Sequence, residues 1–174
     1  MNLVTISIII ATIIYVAYNV AALTLFGIPH SLSMTYYLWK EQYDKGYLFC
    51  FMMYIVVALM MPAWITMSEG SDFQFLAFLA PASLLFVATA PAFLSGQLEN
   101  RVHTIAAYMA AACSLLWVIL VTPFWWVILI WGGFVALASI VTSSYRGCYI
   151  YWLETIAFLS TFCATITYSK IFEL

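Results

Sequence analysis

The sequence predicts an all-α, polytopic integral membrane protein: a bundle of six transmembrane helices with a short interfacial helix after the first. Three observations carry this expectation. Of the 174 residues, 67% are hydrophobic and only 7% charged, which leaves too little polar surface to cover a soluble globule. The apolar residues fall into six runs of roughly the 20 residues needed to cross the hydrocarbon core. Between the first two runs lies a segment that mixes aromatic and charged side chains, the composition of the headgroup layer. Residues 1–174 are read as one membrane domain, with spans near 3–27, 46–67, 73–95, 103–121, 123–142 and 149–169.

Span one holds no Lys or Arg and is longer than the apolar core of a signal peptide, so it is expected to be retained. Pro29 is expected to end it. In the segment that follows, Ser31 or Ser33 is placed to cap a new helix, and Gly46 suits the residue just past its end. Tyr36, Tyr37, Trp39 and Tyr43 alternate there with Lys40, Glu41, Asp44 and Lys45, so a short helix in the membrane interface is expected. Span two carries Pro62. In the next turn, Ser71 and Gln74 have the spacing of a capping box for span three, and Asp72 suits the positive end of that helix. Span three contains Pro81 and Pro91, each able to free a carbonyl four residues earlier and kink its helix.

Fused, spans four and five would make roughly 60 Å of helix, twice the hydrocarbon thickness. The Val121-Thr122-Pro123 step therefore reads as a tight turn between antiparallel spans, with Pro123 at a helix start. Ala106, Ala110 and Ser114, Ala107 and Ala111, Gly132 and Ala136, and Ser139 and Ser143 recur at four-residue spacing. Such stripes let backbones approach closely in lipid. They place spans four and five at the centre of the bundle, or in contact with a second copy or another membrane protein. Trp125, Trp126 and Trp131 are expected toward lipid or the outer interface.

Lys40, Lys45, Arg101 and Arg146 fall in the loops after spans one, three and five, against Lys170 alone on the other face. By the positive-inside bias those three loops are expected to be cytoplasmic and both termini outside; an inner (plasma) membrane is the expected location. The formal charge of −2 lacks the basic patch that nucleic-acid binding requires. Cys50, Cys113, Cys148 and Cys163 lie in or beside apolar runs and read as reduced packing residues, not as a disulfide or zinc framework.

This topology collects three polar pieces on one face: His30 with Ser31 and Ser33; the stretch Glu99-Asn100-Arg101-Val102-His103; and Arg146 with Glu154. The second piece reads as a helix start capped by Asn100. Glu154 lies about six residues into span six, roughly 9 Å deep, where an ionisable group marks a paired or functional site. Arg146, Arg101 and His103 are its candidate partners. The preferred reading is a seam without catalysis that binds a membrane lipid, an ion or a partner through His30, Ser31, Ser33, Arg101, His103, Arg146 and Glu154. A structural Glu154–Arg pair locking two helices is the plain alternative. A sharper one makes His30, His103 and Glu154 a zinc set with an open fourth position, serving a metal-dependent lipid hydrolase with His103 and Glu154 as catalytic candidates. Protonation switching at His103, and a small channel or transporter built on the proline-bearing spans, complete the alternatives. No other cofactor is implied.

The run Pro29-His30-Ser31-Leu32-Ser33-Met34-Thr35-Tyr36-Tyr37, followed by Glu99-Asn100-Arg101-Val102-His103, resembles a group of small bacterial six-span membrane proteins. More distantly, Pro-x-x-x-Ser after span one with a His opening span four is similar to the Frag/DRAM/Sfk superfamily. That resemblance covers most of the chain by topology and implies a six-span bundle but no particular chemistry. Alkaline ceramidases and progestin-receptor-like hydrolases have seven spans and three zinc-binding histidines. This chain has two histidines, and its topology puts Asp72 on the face opposite both.

Overall fold

The computed structural model describes residues 3–171, and the described residues form seven helices without a strand. These are α1 Leu3–Phe26, α2 Thr35–Tyr43, α3 Tyr47–Met67, α4 Leu76–Thr89, α5 Gln97–Val121, α6 Trp126–Val141 and α7 Tyr149–Ile171. Four of them, α1, α3, α5 and α7, are long and apolar enough to cross a membrane, whereas α4 and α6 are shorter at 14 and 16 residues. The chain ends, whose side the charge count addresses, lie outside the described residues.

Each long helix is apolar all round, so which face turns inward is decided by small and polar residues rather than by hydrophobicity. In α1 the inward positions are Thr5, Ile8, Ala11, Tyr15, Asn19 and Ala22, a three- to four-residue repeat, while Ile10, Ile13 and Val20 point outward. α3 lies against α1, α2, α4 and α7 and supplies much of the core through Phe49, Met52, Met53, Val56, Met60 and Trp64. At the far end of the bundle the buried rings of Trp64 and Trp117 stack with centroids 5.0 Å apart and an interplanar angle of 14°. There Trp117 Nε1 donates to Ser68 Oγ at 2.7 Å, and Trp64 Nε1 donates to Thr165 Oγ1 at 3.2 Å.

Several local expectations are corrected. α1 stops because Gly27 adopts φ +73° just past its end, a conformation that costs an L side chain energy, two residues before Pro29. α2 forms where an interfacial helix was expected, yet Ser31 Oγ accepts only the Met34 N–H of the preceding turn. Its C-terminal cap is Asp44 in the left-handed region, with N–H bonds from Asp44 to the Lys40 carbonyl and from Lys45 to the Trp39 carbonyl. Gly46 instead precedes α3. Ser71 caps a lone turn by accepting from the Phe73 N–H, and α4 begins later, at Leu76. Span three does not run on to residue 95. Pro62 and Pro81 sit inside continuous helices, but α4 ends before Pro91, whose ring disfavours helical backbone at Ala90. α5 starts at Gln97 with Gly96 as its cap, so Asn100 is inside the helix and its Oδ1 accepts from Thr104 Oγ1 at 3.0 Å.

The small-residue stripes pair differently from expectation. α5 turns Ala106, Ala110 and Ser114 inward, and its most extensive partner is α4, with α7 beside it. α6 is peripheral: it packs on α7 and exposes Leu129, Ile130, Phe134, Leu137 and Ile140. Trp125 and Trp126 are likewise exposed.

Candidate functional site

The link between α1 and α2 is stitched onto the start of α7. The first N–H groups of any helix lack intrahelical acceptors, and here the His30 carbonyl accepts the Tyr151 N–H at 3.1 Å. In return, His30 Nδ1 bonds the Gly147 carbonyl at 2.5 Å, which requires Nδ1 to carry the proton. Cys148 Sγ donates to the Ile28 carbonyl at 3.4 Å. One turn deeper, Glu154 Oε2 accepts the N–H of the fully buried Leu32 at 2.6 Å. At 2.6 Å this is a short bond for an N–H donor.

Glu154 therefore pairs with backbone and not with an arginine. Among the described residues no ion pair reaches it. Arg146 stays exposed with its guanidinium 5.5 Å from the Tyr145 ring centre, and Arg101 is exposed on α5. Beside Glu154, Tyr151 donates to Asn19 Oδ1 at 3.3 Å, and Asn19 Nδ2 donates to the Tyr15 carbonyl at 2.9 Å. This polar column joins α1 to α7.

Glu154 and Ser33 mark one end of a cavity of about 50 Å³ between α3, α4, α5 and α7. Its walls are apolar, with Val56, Met60, Leu84, Ala107, Phe158 and Phe162 among them, and it reaches inward to Trp64 and Ser114. Between Glu154 and Phe162 it follows eight residues of helix, roughly 12 Å. Ser33 is 3% exposed and lines this space.

His103 is placed elsewhere at the same end. Its Nδ1 bonds the Ala90 carbonyl at 2.9 Å, and its ring stacks on Phe93 with centroids 4.5 Å apart. Phe93 in turn meets Tyr37, whose hydroxyl accepts the Leu94 N–H at 2.8 Å. His103 thus ties off the end of α4, where the last carbonyls have no helical donor. His103→Phe, which retains a ring to stack, is expected to cost about 1 kcal/mol for the lost bond. His103→Ala should cost about 2 kcal/mol more through the void beside Phe93. Unfolding midpoints in detergent check this, and equal stability of the two variants would refute the stacking role.

The three polar pieces foreseen at one face do meet at one end of the bundle, but not as one site. His30, Leu32, Ser33 and Glu154 cluster, with Ser31 in the neighbouring turn. His103 and Arg101 belong to the α4–α5 corner. Among the described residues no three His, Cys, Asp or Glu side chains are grouped as metal ligands, so the zinc set of His30, His103 and Glu154 is not assembled. Each imidazole is held by a backbone carbonyl of a different loop. All four cysteines are free thiols. Sequence reasoning missed the Leu32 N–H, which has no side-chain signature. It also missed the Tyr15–Asn19–Tyr151 column, which a polar Asn19 midway along an apolar run could have signalled.

No protein-family model, curated protein or solved structure matches the chain. What the fold and site define is a class only: among the described residues, an all-helical bundle with four helices long and apolar enough to cross a membrane and a polar-tipped cavity.

Proposed function

We propose that this chain is a six-span integral membrane protein that binds a membrane amphiphile, its polar head at Glu154 and Ser33 and only the first carbons of its apolar part in the cavity. The cavity carries the reading: an apolar slot with a carboxyl group and a serine at one end matches a molecule with one polar tip.

Six spans are supported by where the short helices begin and end. α3 closes at the Trp64–Trp117–Ser68 end, while α4 closes at Ala90 beside His103, so α4 traverses the bundle. α6 starts near Phe124, whose ring meets Tyr168 late in α7. It finishes near Ser144, which accepts from Trp152 Nε1 early in α7. A helix of 16 residues spans roughly 24 Å, a mismatch that a bilayer absorbs by thinning. The positive-inside count then puts the Glu154 end on the cytoplasmic side of an inner membrane.

The test is native mass spectrometry of protein purified from membranes in mild detergent. A retained amphiphile is expected on the wild type and is expected to be lost from Ala111→Phe, which fills the cavity wall. Equal retention by the two proteins would sink the reading.

A further inference from the structure

The hydrogen-bonding inventory at the cavity tip points to the chemistry of the head. A carboxylate accepts only, at about four positions, and the Leu32 N–H occupies one on Oε2. Ser33, a residue only 3% exposed, lines the same end of the cavity. From the elements packed around, the carboxylate is faced by the Tyr15 ring of α1, by Tyr151 of α7 and by the α1–α2 link. None is a cation. His30 is turned to Gly147, Arg146 to Tyr145, and His103 to Ala90. The ionised form of a carboxyl group at this depth is costly without a counter-charge, and a cationic ligand is what would favour it.

Resting on the cavity reading, we propose that the amphiphile's head is a protonated amine, donating to Glu154 and Ser33 and supplying the counter-charge the protein lacks. An ammonium has three donors and no acceptor, the complement of this tip. A phosphate or carboxylate head would meet Glu154 with like charge and find no cation. An alcohol would satisfy the hydrogen bonds but leave the charge uncompensated.

The experiment titrates purified protein in mild detergent with dodecylamine, dodecanol and dodecanoate, which share one tail, and reads tryptophan fluorescence and native mass spectra. Dodecylamine is expected to bind saturably and roughly tenfold or more tighter than dodecanol, with no binding of dodecanoate. Glu154→Gln keeps an acceptor for Leu32 and is expected to erase the amine preference while sparing dodecanol; Ser33→Ala should weaken both. Dodecanoate or dodecanol binding as tightly as dodecylamine, or an unchanged amine affinity in Glu154→Gln, overturns the amine assignment and leaves the cavity reading standing. Failure of all three amphiphiles to bind overturns both.

Discussion

Trp117→Ala is expected to be the most damaging single truncation in the bundle, costing about 3 kcal/mol. In a water-soluble core the loss of a buried Trp costs about 3–5 kcal/mol. In a bilayer part of that vanishes, because lipid tails are as apolar as the core and the transfer contribution shrinks. What remains is the void and the broken contacts. Trp117 has no exposed surface, stacks on Trp64, and donates to Ser68 Oγ. Ser68 keeps its own bond to the Trp64 carbonyl at 2.6 Å, so the hydroxyl is not wholly orphaned, which argues for the lower end of the range. Because the two rings share one contact, Trp64→Ala and Trp117→Ala should not add. The double variant is expected to fall short of the sum by about 0.5–3 kcal/mol. Reversible unfolding in mixed micelles measures all three, and a Trp117→Ala protein within about 0.5 kcal/mol of wild type would contradict the packing account.

Glu154→Leu is expected to cost about 2 kcal/mol, and Glu154→Gln less than about 1. Two effects oppose each other. Leucine strands the buried Leu32 N–H, and a hydrogen bond to a charged group contributes about 1.5–3 kcal/mol. It also removes a carboxylate with no counter-charge, which relieves a penalty. The stranded N–H wins because that bond holds the α1–α2 link against α7, next to the His30–Gly147 and Tyr151–His30 bonds. Glutamine keeps an acceptor and sheds the charge, so its two effects nearly cancel. Amide exchange at Leu32 should accelerate in the leucine variant alone. Unchanged protection there, with wild-type stability, would mean that the Glu154–Leu32 bond does not hold the link.

Legibility in the sequence follows the range over which each determinant acts. The runs that became α1, α3 and α7 are visible because hydropathy over about 20 residues is a local property. The ends of α2 and α5 were misplaced for an equally local reason. Asp44 tolerates the left-handed region and Gly96 an extended one, so the obvious candidates Gly46 and Asn100 were not needed as caps. The shared end of the three polar loops was also readable, since an antiparallel chain with charges in alternate loops must bring them together.

The partner of Glu154 and the position of α6 were not readable. Every residue but proline offers the same N–H, so nothing in the letters marks Leu32 as the donor that meets a carboxylate 122 residues away. Small-residue stripes on α5 and α6 show that both can pack closely, not against what. By itself the sequence determined an all-helical, membrane-type chain and which side chains are too polar to face lipid. Only the tertiary structure decided which helices meet, that His103 and Glu154 belong to different corners, and that Ser33 and Glu154 close one cavity. The reason is physical: in an apolar solvent hydrophobicity no longer selects contacts, and shape and hydrogen bonding, which depend on the whole fold, do so instead.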